Sequence, residues 1–223
     1  MSIIIPALDE NGESFCDDVM STKQYNDIRE RINPDIWLAE YMQEPVDMKG
    51  RLFTGLNKIP KEQFNQIKDK IEGYIAYIDV VDQGKDFTAM AIGGVVGKEI
   101  YIVDYLFTRD NTDITLPLCT AKLNRWDVKY CRVESNSMGA MFSRQLDKMV
   151  DTRILQVHNT KNKITRIIME SAFIFNVQQY YQFIQNIESF SKEGKNKNDD
   201  APDCIAGLST FIKGLFPNQF KDY

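Results

Sequence analysis

The chain has 223 residues, 43% of them hydrophobic and 26% charged, with Lys+Arg 27 against Asp+Glu 32 and a net charge of -5. That balance is ordinary for a globular protein and excludes a polycation that holds nucleic-acid phosphates by bulk charge, so any phosphate contact must come from a local basic patch or from bound cations. Cys16, Cys119, Cys131 and Cys204 are widely spaced without a CxxC pair, which argues against a zinc site or a disulfide framework. No apolar run approaches the ~18 residues that cross a bilayer, and no charged-then-apolar leader opens the chain, so a soluble intracellular protein is expected.

Residues 1–21 contain IIIPALDENGESF, an extended segment broken by Pro6 and followed by a polar stretch without periodicity. From Ser21 onward, Ile28, Ile32, Trp37, Leu38, Tyr41 and Met42 recur at helical spacing, with Ser21 or Thr22 as N-cap and Pro34 dividing two helices. Pro45 and Gly50 end the second of these, and Trp37 and Tyr41 are expected to pack this arm onto the main domain. Pro60 opens a further helix that stops at Gly73. The expected division is an N-terminal arm and linker over residues 1–70 and a single domain over 71–223.

That domain should begin with strands over 74–81, 87–96 and 99–107, the last two joined by Gly97 and Lys98, which makes an antiparallel meander. A helix over 116–126, a short buried strand over 130–134 (YCRVE), a helix over 138–149 and a strand over 153–157 follow. This alternation requires parallel strands joined by crossovers. A helix over 163–175, a strand-like run over 177–181, a helix over 183–191 and, after the polar link KEGKNKNDD, a last helix over 202–215 complete the chain. The expected fold class is therefore α/β, a mixed central sheet of three antiparallel strands and then parallel strands, flanked by helices, with an N-terminal helical arm.

Asp79 lies among Tyr77, Ile78, Val80 and Val81. A carboxylate inside so apolar a strand is costly unless a metal, a partner or water takes up its charge, or unless the strand is an edge and the side chain faces solvent. Glu134 ends the buried strand YCRVE, so it should emerge at the carboxyl edge of the sheet, where open α/β sheets place ligands. Asp200 and Asp203 fall at the start of the last helix, where a carboxylate also has the simpler role of complementing the helix dipole. Taken together, Asp79, Glu134 and Asp203 can reach one locus. Oxygen donors without His or Cys favour Mg²⁺ or Mn²⁺ over zinc, and two such ions can activate a water and stabilise the leaving oxygen of a phosphodiester.

Three stretches resemble one family. WLAEYMQEPVDMKGRLF is similar to the segment leading into the nuclease half of phage terminase large subunits, YIAYIDVVDQGKDFTAM to the first two strands of that nuclease, and NDDAPDCIAGL to its carboxyl-terminal acidic signature. The resemblance is to the C-terminal nuclease domain of these proteins, within the ribonuclease H-like superfamily. It implies a Mg²⁺- or Mn²⁺-dependent endonuclease, with two ions, that cuts concatemeric double-stranded DNA during viral genome packaging. It further implies portal protein and terminase small subunit as partners and the host cell cytoplasm as location.

Carried over by position, the metal-binding triad falls on Asp79, Glu134 and Asp203, with Asp200 as an auxiliary carboxylate and Asp82 and Asp86 behind them. Asn198 stands where the family often has His, so a proton transfer by that residue is not offered here. His158 reads as a hydrogen-bonded loop residue. Lys161, Lys163 and Arg166 form a basic run that can hold DNA phosphates or simply solvate a helix start. No GxxxxGK[ST] phosphate loop occurs, so these residues do not encode the ATP-driven motor. Two other readings stay open: a junction resolvase or integrase-like nuclease of the same fold, and a non-catalytic docking module whose acidic cluster meets a basic partner.

Overall fold

A computed structural model describes residues 5–9, 11–31, 37, 41–43, 51–53, 56–80, 87–134, 139–159, 162–170, 175–177, 181–191, 196 and 199–220. The chain divides into two compact units, Met1–Arg51 and Leu52–Tyr223. Residues 52–70, expected as the linker, count with the second unit. The reason is packing: Phe53 belongs to one of the two apolar cores of the second unit, and Ile59 and Phe64 to the other.

In the first unit, helix α1 (Thr22–Arg31) starts from a reciprocal cap. The Ser21 amide donates to Gln24 Oε1 at 2.8 Å, and the Gln24 amide to Ser21 Oγ at 3.4 Å. Trp37 is buried and stacks on Tyr41 with ring centres 5.0 Å apart, while Tyr25 meets both edge-on. The aromatic pair clusters with Tyr25 within the first unit. Most of the second predicted helix lies outside the described residues.

The second unit is built on a seven-stranded sheet. Its strands are β1 (Asn57–Lys58), β2 (Tyr74–Asp79), β3 (Thr88–Val96), β4 (Glu99–Thr108), β5 (Tyr130–Glu134), β6 (Arg153–Val157) and β7 (Phe175–Val177), in the order β1-β7-β4-β3-β2-β5-β6. β2, β3 and β4 pair antiparallel, whereas β5 runs parallel to β2 and β6 parallel to β5. This is the expected mixed sheet. β2 is interior, between β3 and β5, and its alternate side chains enter separate cores: Ile75 and Tyr77 on one face, Ala76 and Ile78 on the other. Burial on both faces explains why its sequence reads as an unbroken apolar run rather than an alternation. It also disposes of the edge-strand reading of Asp79.

The helices are α2 (Lys61–Ile67), α3 (Thr112–Arg125), α4 (Gly139–Asp147), α5 (Lys163–Glu170), α6 (Tyr181–Glu188) and α7 (Asp200–Leu215). One face of the sheet packs against side chains of α2, α3 and α4, the other against α5, α6 and α7. α3 begins at Thr112 rather than 116, because the Asn111 side chain accepts from the Ile114 amide and opens the helix ahead of Pro117. The two-residue β1, which pairs parallel with β7, carries no pattern legible in sequence. All four cysteines are free. Among the described residues no helix is long and apolar enough to cross a membrane.

Candidate metal centre

β2 and β5 are parallel neighbours, and Asp79 and Glu134 are their last residues, so both carboxylates leave the sheet at the same edge. The register Tyr77↔Arg132 places Tyr77, Asp79 and Glu134 on the face covered by α7. Two glycines set the approach of the helices. A Cβ on Gly139 would lie 1.8 Å from the Glu134 carbonyl oxygen, so α4 can begin tight against the end of β5 only with glycine there. A Cβ on Gly207 would lie 2.4 Å from Cζ of Tyr77. α7 therefore lies directly on the Tyr77 ring, and one helical turn before Gly207 it delivers Asp203 to the sheet edge.

The result is a cluster in which Asp79, Glu134 and Asp203 each offer an oxygen within 4.8 Å of the others. All three are buried, at 5%, 7% and 2% exposure. Asp200, also buried, accepts a hydrogen bond from the Phe87 amide at 3.1 Å. Among the described residues no other group of three acidic, His or Cys side chains meets this geometry.

Two cations reach into the cluster from α5. The Lys163 ammonium lies 2.7 Å from Asp199 Oδ1 and 3.6 Å from an oxygen of both Asp200 and Asp203. The Arg166 guanidinium donates to Asp203 Oδ1 through Nε at 2.9 Å and through Nη2, which also stands 3.8 Å from Glu134 Oε2. Glu134 is held from its other side: the Tyr77 hydroxyl donates to its Oε2 at 3.2 Å and accepts from Asn159 Nδ2 at 2.8 Å.

Burial, with the nearby charge of Glu134, pushes the Asp79 carboxyl up to about 7 despite the opposing pull of Lys163. Burial also raises Asp203, although Arg166 and Lys163 counteract it. Burial disfavours the Lys163 ammonium, but the hydrogen bond to Asp199 and the charges of Asp203 and Asp79 lift it above the ordinary lysine value. Buried carboxylates in this number, with oxygen as the only donor, could hold a metal ion.

The structure thus gathers Asp79, Glu134 and Asp203 at one point, with Asp200 sharing the Lys163 ammonium with Asp203, while Asp82, Asp86, Asn198 and Lys161 lie outside the described residues. His158 is exposed on the loop after β6. Arg166 is 8% exposed and paired with Asp203, because α5 packs against α7, whereas the Lys163 side chain keeps 34% exposure beside Asp199. Sequence reasoning missed Tyr77 and Asn159. Tyr77 had one available signal, its place two residues before Asp79 on the same strand face.

The model of the family described as Terminase Bacteriophage T7, Ribonuclease H-like domain, matches residues 78–180. Those residues are similar to that domain. The match contains Asp79 and Glu134, and Asp203 follows it in the same sheet-and-helix unit. The large terminase of a thermophilic bacteriophage is similar in two crystal forms: TM-score 0.53 at 13% identity, covering 86% of this chain and 52% of that one, and TM-score 0.51 at 12%, covering 86% and 53%. The large terminase nuclease of the thermophilic phage G20c matches at TM-score 0.48 and 9% identity, covering 60% of this chain and 79% of that one. The chain spans about half the length of the first of these large terminases. No curated protein sequence matches it.

Proposed function

We propose that the chain is a Mg²⁺- or Mn²⁺-dependent endonuclease that cuts concatemeric double-stranded DNA for viral packaging. The observation that carries this reading is the meeting of three buried carboxylate oxygens within 4.8 Å at the carboxyl edge of a ribonuclease H-like sheet. Asp79, Glu134 and Asp203 would hold the ions, two in number, with Asp200 assisting. Divalent ions in such a site lower the pKa of a water and stabilise charge on the leaving oxygen of a phosphodiester.

The remaining work belongs to the chain. Tyr77 fixes Glu134 Oε2, and Arg166 fixes Asp203 Oδ1, so two of the three donors are oriented before any ligand arrives. The rigid floor of β2 and β5 holds Asp79 and Glu134 at a set separation. Burial of all three limits bulk water, which strengthens every electrostatic contact at the centre.

The same proposal assigns the residues ahead of the nuclease unit to the lead from an ATPase half. It takes the portal protein and small subunit as partners and the host cytoplasm as the place of action. Plasmid nicking in Mn²⁺ tests it. Asp79→Ala and Asp203→Ala should each abolish cleavage while retaining cooperative unfolding, and unchanged cleavage in either variant removes the assignment. Preference for four-way junctions over linear duplex in the same assay would make the chain a resolvase. Failure to bind Mn²⁺ in calorimetry, with tight binding to a basic protein partner, would make it a docking module.

A further inference from the structure

The acidic centre poses an electrostatic difficulty for the reaction proposed for it. A DNA backbone must approach four carboxylates, and the two cations beside them, Lys163 and Arg166, are already engaged with those carboxylates. Steering and holding a polyanion requires a cation that is exposed, near the centre and not neutralised.

Arg109 is exposed and, among the described residues, unneutralised, and it is joined to Asp200 through Phe87. It follows the end of β4, opposite the residue that precedes β3, because Thr88 pairs with Thr108. Its guanidinium carbon lies 4.1 Å from the centre of the Phe87 ring. Phe87 stacks in turn on Phe107, with ring centres 4.1 Å apart and planes at 8°, and Phe183 braces Phe107 edge-on at 6.2 Å. The backbone amide of the same Phe87 is the donor to Asp200 Oδ2. A line of contacts thus runs from Asp200 through Phe87 to an exposed guanidinium. Arg109 makes no ion pair among the described residues, and it is exposed.

A guanidinium seated over a ring by its carbon leaves N–H donors at its rim, and such donors are what a phosphate takes. The stack also restricts the side chain beforehand, so less conformational freedom is lost when phosphate binds. We propose that Arg109, presented on the Phe87–Phe107 stack, is a contact for the DNA backbone phosphate beside the one positioned at Asp79, Glu134 and Asp203. This inference rests on the nuclease reading and adds to it the residue that receives the neighbouring phosphate.

The test is binding of a short linear duplex by fluorescence anisotropy in EDTA, measured between ~50 and ~200 mM salt. Loss of one phosphate contact lowers the slope of log K against log salt by about 0.9, and Arg109→Ala is expected to show this loss together with weaker binding. Arg109→Lys keeps the charge without the flat face, and should recover the slope but only part of the affinity. Arg109→Ala with the wild-type slope overturns the assignment, as does a wild type that fails to bind duplex at low salt or binds without salt dependence. Arg109→Lys indistinguishable from wild type overturns the stack as its basis. Should Arg109→Ala lower the melting temperature, Arg109→Gln is read in its place. Mn²⁺ cleavage separates the two levels: a wild type that cuts, with an unchanged slope in Arg109→Ala, removes only this inference, whereas a wild type that does not cut removes the nuclease reading itself.

Discussion

Glu134 shows how a single hydroxyl can set a ligand. Its Oε2 accepts from Tyr77, and Tyr77 is itself fixed by Asn159 and by the backbone of α7 pressing on its ring at Gly207. Tyr77→Phe keeps the ring and removes only the hydroxyl. The expected cost in stability is about 1 kcal/mol, the ordinary worth of a buried hydrogen bond. Loss of an orienting partner of a metal ligand typically costs roughly 10–100-fold in metal affinity. Calorimetric titration with Mn²⁺ should show a loss of that size, and an unchanged affinity beside the stability loss would make the hydroxyl a core hydrogen bond and nothing more. At this scale the sequence was informative where a residue conflicts with its surroundings. Asp79 stood out because a charge in an apolar strand is costly. Arg166 did not, because its burial depends on how α5 meets α7, and a basic run in sequence looks the same whether it faces water or carboxylates.

α7 is the element on which the centre depends, since it supplies Asp200 and Asp203 and is buried along most of its length. Two of its glycines make an internal comparison. Gly207 leaves no room for a Cβ against Tyr77, whereas a Cβ on Gly214 meets nothing within 4 Å. Gly207→Ala should push α7 off β2, costing about 1–3 kcal/mol as overpacking does, and should lower Mn²⁺ affinity because Asp203 moves with the helix. Gly214→Ala should leave metal binding alone and stabilise by about 0.5 kcal/mol through helix propensity. Chemical denaturation of both variants checks the pair; equal effects would mean that α7 tolerates displacement and that the close approach at Gly207 is not what positions Asp203. The element scale was the most legible in sequence. β2, β3 and β4 and the parallel β5 and β6 follow from β-branched runs, turn residues and crossover lengths. What escaped was set by contacts across the fold: β1 exists only through its pairing with β7, and the first unit ends after Arg51 because Phe53 and Phe64 find partners in the sheet cores.

For the whole molecule, the buried carboxylates couple folding to protons and, under the proposed function, to metal. Asp79 releases its proton near its ordinary 3.8 in the unfolded chain, but only at about 7 in the folded protein. Between these values the native state binds more protons than the unfolded one, so the stability of the metal-free protein falls as pH rises, and the loss is complete above about pH 7. At about 1.36 kcal/mol per unit the whole penalty is on the order of 4 kcal/mol, of which about 3 kcal/mol accrues between about pH 5 and the folded pKa. Asp79→Asn carries no such penalty. In EDTA it should therefore gain about 3 kcal/mol more over wild type at about pH 8 than at about pH 5, read from urea denaturation. A difference independent of pH would show that the Asp79 charge is not what strains the fold. Mn²⁺ supplies the other half of the coupling, because a cation that binds the ionised carboxylates offsets the cost of burying them. At about 100 times its dissociation constant it stabilises by roughly 2.7 kcal/mol, and protons compete with it below the raised pKa of Asp79. Wild type at about pH 8 should thus melt higher with Mn²⁺, the gain should shrink toward about pH 5, and Asp79→Asn should gain little at either pH. Equal stabilisation of the two proteins would place the bound Mn²⁺ away from Asp79.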